Sequence, residues 1–243
     1  MNIVSYNLRF GGKTGSINPW GKMIEDFTPD IVFAQESFHP RDYFLPEQFD
    51  QFRGCIWSNV TKQKWGSAIL SRNCQLEARP LPGFEGWVVG AIARDLPVGG
   101  IKQDVLIYSI HAPSPGPYLP SVNLLLDEIA KTCGTMPVLL AGDFNVTTAV
   151  RRPGEELENS VGEEKLLERL RREFGLSNAW QAVHPDENLP QTLRWAKNPL
   201  PPYHCDAIFV SDSLLAHLKS ASVEGAGAWG EMSDHNPVVV ALN

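Results

Sequence analysis

The chain has 243 residues, 43% of them hydrophobic and 20% charged, with a formal net charge of −7 at neutral pH. That length can bury a large core within one domain spanning residues 1–243, and no run approaches the roughly 18 apolar residues that a membrane-spanning helix requires. The negative charge argues against a broad basic face for non-specific duplex binding, although carboxylates gathered at a metal site would be partly neutralised by the ion.

Met1 leads into Ile3-Val4 without a basic leader, and Cys55, Cys74, Cys133 and Cys205 form no CxxC pair. These features predict a soluble, cytoplasmic protein with reduced thiols and no membrane anchor.

In chain order, a strand is expected at Ile3–Tyr6, a helix over Ile17–Phe27, and strands at Ile31–Ala34, Ser67–Leu70, Trp87–Ala93 and Val105–Ile110. A helix follows over Ser121–Lys131, then a strand at Val138–Ala141, a helix over Val161–Phe174 and strands at Ala207–Val210 and Val238–Leu242. The strands are short, rich in Val and Ile, and bounded by Gly, Pro, Asn or Asp. The helix over Val161–Phe174 sets Leu166, Leu167, Leu170 and Phe174 against a charged face. Trp87–Ala93 and Val105–Ile110 lie too close in sequence for a helical crossover, which predicts antiparallel pairing. The Pro-rich pieces Ala112–Pro120 and Asn198–Pro202 read as stiff loops. The expected fold is an α/β (α+β) four-layer α-β-β-α sandwich, with two mixed sheets packed face to face and helices outside.

Polar residues close or follow these runs: Asn7, Glu36, His111, Asp143 with Asn145, Asp206, and Asp234 with His235. Strand ends can converge on one rim of a sandwich. Carboxylates, amides and imidazoles without thiolates form an oxygen-rich set that suits a hard ion such as Mg²⁺ or Mn²⁺. In PVLLAGDFN, Gly142 permits a tight turn that presents Asp143 and Asn145 two residues apart. Taken alone, that turn and Ser233–Pro237 read equally as ordinary Asx turns.

The ordered set SYN (Ser5–Asn7), QE (Gln35-Glu36), HAP (His111–Pro113), GDFN (Gly142–Asn145), CDAIFVS (Cys205–Ser211) and SDHNPV (Ser233–Val238) resembles the endonuclease/exonuclease/phosphatase superfamily, the group of deoxyribonuclease I and exonuclease III. GSAILSR (Gly66–Arg72) is similar to a central strand of that family. GLSNAW (Gly175–Trp180) with the later HP and Thr192 matches another stretch, with Asn178 replacing the usual Asp.

The resemblance implies a divalent-metal-dependent phosphoesterase. Glu36 would be the principal metal ligand, with Asn7 and Asp234 completing or supporting its oxygen shell. Asp143 would orient or deprotonate the attacking water, and Asn145 would bind the phosphate or a second ion. His235 would contact the phosphate and Asp206 would hold its other nitrogen. His111 would assist the phosphoryl oxygens or leaving group. Arg9, where one branch of the family carries an acidic residue, would recognise phosphate and favour one ion over two. His39, His184, His204 and His217 are expected to be structural or exposed.

The substrate expected is a nucleic-acid or nucleotide-like phosphodiester. The alternative is an inositol phosphate, phosphoinositide or sphingomyelin, against which stand the Ala207 that follows Cys205-Asp206 and the lack of a basic amphipathic helix. Trp65, Trp195 and Trp229 either stack on bases or close the edges of the core. A catalytically dead binding module would be expected to lose at least one of Glu36, Asp143, Asp206, Asp234 and His235, and all five are present.

Overall fold

Branched side chains on a pleated backbone need cover on both faces, and here each sheet has another layer on either side. A computed structural model describes residues 1–12, 17–114, 116–195, 200–225 and 227–243. Among these, one six-stranded sheet runs β11 (Leu218–Val223), β12 (Val238–Leu242), β1 (Asn2–Asn7), β2 (Ile31–Ser37), β4 (Gly66–Ser71), β3 (Gly54–Asn59). The second runs β5 (Gln75–Ala78), β6 (Val88–Val98), β7 (Ile101–His111), β8 (Val138–Asp143), β10 (Asp206–Ser211), β9 (Leu176–Asn178).

Both sheets are mixed and share a plan. The central pairs β1–β2 and β7–β8 are parallel, and their neighbours pair antiparallel. A parallel pair needs a crossover, supplied by the helix Pro19–Phe27 in the first case and the helix Tyr118–Cys133 in the second.

Three apolar layers follow from alternation along the strands. Ile3, Phe33, Ile69, Val89, Ile107, Leu139, Ile208 and Val240 meet between the sheets. The opposite face of the first sheet, with Val4, Tyr6 and Val32, packs on Trp20 and Met23 of the first helix. Leu106, Tyr108, Leu140 and Phe209 of the second sheet pack on Val122, Leu126, Leu166 and Leu170. Each fully buried aliphatic or aromatic side chain contributes about 1.5–3 kcal/mol relative to exposure. This is the four-layer sandwich expected from the sequence.

The antiparallel β6–β7 hairpin turns at Gly99 and Gly100, both with positive φ, as a two-residue hairpin between right-twisted strands requires. The helix expected from Ile17 begins at Pro19, because the Asn18 side chain accepts a hydrogen bond from the Trp20 amide and caps it. The second helix starts three residues before its expected position, so Tyr118–Pro120 are helical rather than loop; Pro120 lies in the first turn, where its missing N–H costs little. Pro115 and residues 198–199 of the two expected Pro-rich loops fall outside the described residues.

Four strands went unread in the sequence: β3, β5, β9 and β11. They are the outer strands of the two sheets. An edge strand is half exposed, so its apolar pattern is diluted by residues such as Glu77, Lys219 and Ser220.

At Gly142 the backbone has φ 142°, and a Cβ there would lie 1.9 Å from the carbonyl oxygen of Ile110 on the neighbouring strand. We therefore expect Gly142→Ala to lower stability by at least about 2 kcal/mol through strain and overpacking, read as a fall in denaturation midpoint. An unchanged midpoint would show that β7 and β8 do not need this close approach.

Candidate active site

The side chains between the sheets change from apolar to polar towards one end. On β1 the inward face reads Ile3, Ser5, Asn7; on β2, Phe33 then Gln35; on β7, Val105, Ile107, Ser109, His111; on β8, Leu139, Ala141, Asp143; on β10, Val210, Ile208, Asp206. Gln35 Nε2 donates to Ser109 Oγ at 3.0 Å, and Ser109 Oγ donates to the Ala34 carbonyl, so the sheets are joined beneath the rim by hydrogen bonds.

Register gathers the reactive groups. Asp143 pairs with His111 on one side and Asp206 on the other, placing three functional side chains on adjacent strands at one level. Across the interface, Asn7 Nδ2 donates to Asp143 Oδ2 at 3.0 Å and to Glu36 Oε1 at 3.3 Å, while its Oδ1 accepts the Arg9 amide. The sequence-derived set thus converges, with Asn7 holding both carboxylates.

Glu36 owes its direction to an irregularity. Strict alternation would turn it away from Gln35 and out of the interface. The β2–β4 register shifts between Ala34 and Ser37, and Glu36 has φ 47°, a conformation costly for a non-glycine residue. The bulge brings Glu36 Oε1 to 3.6 Å from His111 Nε2. Asn145, with φ 52°, donates both its amide N–H and its Nδ2 to Asp143. Glu163 steadies that turn: it completes a capping box with Ser160 and accepts the Thr147 amide at 2.8 Å.

The two imidazoles are electrostatically unlike. His235 Nδ1 lies 2.9 Å from Asp206 Oδ2, and Nε2 lies 3.8 Å from Asp143. Burial disfavours a charged His235, but the nearby Asp206 and Asp143 carboxylates together outweigh it and push its pKa up to about 10. His111 packs against Trp65 and Trp87, and burial pushes it down to about 3, leaving a neutral imidazole. Burial also raises Asp143 and Glu36, opposed in each by the charged His235.

The donor set suits a divalent ion. Glu36 Oε2 is buried without a hydrogen-bond partner, and a buried carboxylate oxygen left bare is costly. Asp143 is adjacent, and Asp234 pairs with Arg9 at 3.4 Å beside them. Asp143, Cys205, Asp206 and His235 also place potential ligand atoms within 4.8 Å of one another. That second grouping is already committed: Asp206 and His235 bind each other, and burial holds the Cys205 thiol protonated, pointing to Asp206. Hard oxygen ligation therefore fits the Glu36 side better.

Sequence reading matched Thr192 to a family stretch without giving it a role, and it missed Arg194. Thr192 Oγ1 accepts the backbone N–H groups of Cys205 and Asp206, fixing the start of β10. Arg194 donates to the carbonyls of Ser233 and His235 and to the Asn236 side chain, clamping the loop that carries Asp234 and His235. A Thr and an Arg thirteen or more residues from the groups they hold give no local signal of those contacts. Asn178 is structural: it caps the helix Ala179–Val183 and donates to the Thr148 carbonyl. His204 and His184 bond backbone carbonyls, as structural histidines do.

The polar cluster opens into a cleft of about 440 Å³. Trp65 and Trp195 line it. Trp229 does not: it is buried on the far face of the first sheet, stacked on Phe27 and edge-on to Tyr6, so of its two expected roles it takes the core one.

If Asp206 acts through His235, their losses should not add. Asp206→Asn and His235→Ala are each expected to lower kcat/KM by about 10²-fold or more, and the double variant by little beyond the worse single. Steady-state kinetics on a phosphodiester checks this; additive losses would show that the two work separately.

The Endonuclease/Exonuclease/phosphatase family model matches residues 4–235. No curated protein matches the chain. Among solved structures, a 3′ phosphatase from Neisseria bound to a product DNA hairpin is similar at 20% identity and TM-score 0.72, covering 100% of this chain and 99% of that one. An AP endonuclease from Archaeoglobus fulgidus is similar at 17% identity and TM-score 0.69, with the same coverage. A 3′-5′ exonuclease from Neisseria meningitidis is similar at 20% identity and TM-score 0.71, with 100% of each chain covered. With its motifs converging on one rim and nearly its whole length matched, the chain belongs to the Endonuclease/Exonuclease/phosphatase family of phosphoric-ester hydrolases.

Proposed function

We propose that the protein is a divalent-metal-dependent phosphodiesterase acting on nucleic acid or a nucleotide-like diester, with Mg²⁺ or Mn²⁺ as its ion. The observation that carries this is the lining of the cleft. Among its described residues Arg9 is the one Lys or Arg, while Phe10, Trp65, Trp87, Tyr118 and Trp195 are aromatic. A polyphosphorylated inositol ring would call for several cations and few aromatic faces. A nucleotide diester presents one charge per unit and flat bases that stack on aromatic rings.

An adjoining chamber of about 470 Å³ shares Tyr118, Asn145, Leu193 and Trp195 with the cleft and adds Leu157 and Tyr203. It suits the apolar part of a nucleoside on one side of the phosphate. The DNA hairpin bound to the Neisseria 3′ phosphatase supports the same substrate class.

Glu36 would hold the ion, with Asp234 beside it and Asn7 orienting Glu36 and Asp143. A divalent ion there supplies positive charge that neutralises the carboxylates and stabilises the phosphate in the transition state. Asp143, raised by burial, accepts a proton from the attacking water as its oxygen bonds to phosphorus. The ester oxygen leaves in line. His235, held cationic by Asp206, stabilises charge on the non-bridging oxygens. Asn145 and Arg9 bind the phosphate, and neutral His111 donates a hydrogen bond from Nε2. No described helix is long and apolar enough to cross a membrane, and four free cysteines fit a reducing cytoplasmic compartment.

Activity on a simple phosphodiester should vanish in chelator and return with Mg²⁺ or Mn²⁺, and Glu36→Gln should raise the metal concentration required; full turnover in chelator would remove the metal mechanism. In a panel of single-stranded DNA, duplex DNA, RNA, inositol phosphates, phosphoinositides and sphingomyelin, with Asp143→Asn as the inactive control, the best rate is expected on a nucleic acid or nucleotide diester. A preference for an inositol or lipid headgroup, with nucleic acids turned over no faster than by the control, would overturn the substrate assignment.

A further inference from the structure

Beyond Glu36, the chain leaves the rim through Phe38 and His39, and a groove of about 440 Å³ forms there, lined by Phe38, His39, Asp42, Tyr43, Trp57 and Lys64. Four of these six carry rings, and each of the four residues is half-buried. Phe38 and Tyr43 lie near-parallel, with centroids 5.8 Å apart and planes 19° apart. His39 meets Trp57 edge-on at 5.1 Å.

Two of the rings are held by hydrogen bonds. Trp57 Nε1 donates to the Ser37 carbonyl at 3.1 Å, and His39 Nδ1 accepts the Arg41 amide at 3.3 Å. Fixed rings stack on a ligand with little loss of side-chain entropy.

Residues close in sequence line the groove and the catalytic cleft. Glu36 lines the cleft and Phe38, two residues on, lines the groove; Gln63 lines the cleft and Lys64 the groove. Two residues of chain span at most about 7 Å. One or two nucleotides of a strand held by its phosphate beside Glu36 would span that distance.

We propose that this groove is a nucleobase subsite for a single-stranded nucleic acid, seating a base one or two nucleotides from the scissile phosphate. The inference rests on the nucleic-acid reading of the catalytic cleft. Aromatic faces favour a flat heterocycle, Asp42 offers an acceptor for the N–H edge of a base, and Lys64 a cation for the adjoining phosphate. With a net charge of −7 the protein has little general attraction for a polyanion, so contacts to bases carry more of the binding. Bases turn their faces outward only where the strand is unpaired, which selects single-stranded segments over duplex.

The test is the affinity of a fluorescently labelled deoxythymidine octamer for the full chain, measured by anisotropy in the Asp143→Asn background so that the probe survives. Phe38→Ala is expected to weaken binding about tenfold or more, the scale of one lost stacking contact. Lys64→Ala, on an exposed side chain that folding does not need, is expected to reduce the slope of log affinity against log salt by about 0.7, one phosphate contact on a single strand. If the octamer binds the Asp143→Asn protein and neither substitution changes affinity or salt slope, the subsite does not exist. If no oligonucleotide binds and none is cleaved by the wild-type chain, the nucleic-acid reading itself fails, and this one with it.

Discussion

Asp143 is where the structure concentrates its electrostatic cost. The residue is 1% exposed and shares the polar end of the sandwich with Asp206, Glu36 and two histidines. An isolated carboxylate in such a place costs several kcal/mol, and removing one partner of a buried pair leaves that cost uncompensated. The surroundings are arranged accordingly: Asn7 and Asn145 donate to Asp143, and His235 lies charged beside it. Hydrogen bonds and one imidazolium offset part of the repulsion. A bare oxygen remains on Glu36, on the side where a cation would complete the balance.

That arrangement depends on backbone conformations that ordinary strands do not supply. Glu36 and Asn145 both have positive φ, and Gly142 approaches Ile110 closer than any side chain allows. Each departure sits within a residue of a group that faces the cleft. Strain at such positions persists only where surrounding contacts determine it, and here the two sheets provide them. Below the rim, Gln35 and Ser109 tie the sheets together by hydrogen bonds; further in, Phe33, Ile107 and Leu139 close the interface with apolar packing. The rigid interior lets the rim hold strained, charged groups in place.

Much of this was legible in the amino-acid sequence. The central strands announced themselves because both their faces are buried, which makes their apolar runs nearly continuous. The site residues were legible for a related reason: each stands where such a run ends, and six short motifs in order fix which family's arrangement they resemble. Composition also bore on the partners, since a net charge of −7 argues against a broad basic face.

The tertiary structure decided the rest, because the remaining properties depend on neighbours far away in the chain. Edge strands β3, β5, β9 and β11 have one unpaired side and no continuous apolar run, so only pairing defines them. The bulge that turns Glu36 inward comes from register with β4. Arg194 and Thr192 acquire their roles by reaching segments thirteen to forty-two residues away. His111 and His235 are the same residue type at the ends of similar motifs, yet one is neutral and the other charged. Both lie within 4 Å of carboxylates, but only His235 hydrogen-bonds one, Asp206, while His111 packs under two tryptophans with its Nδ1 unpartnered, and no local sequence encodes that difference.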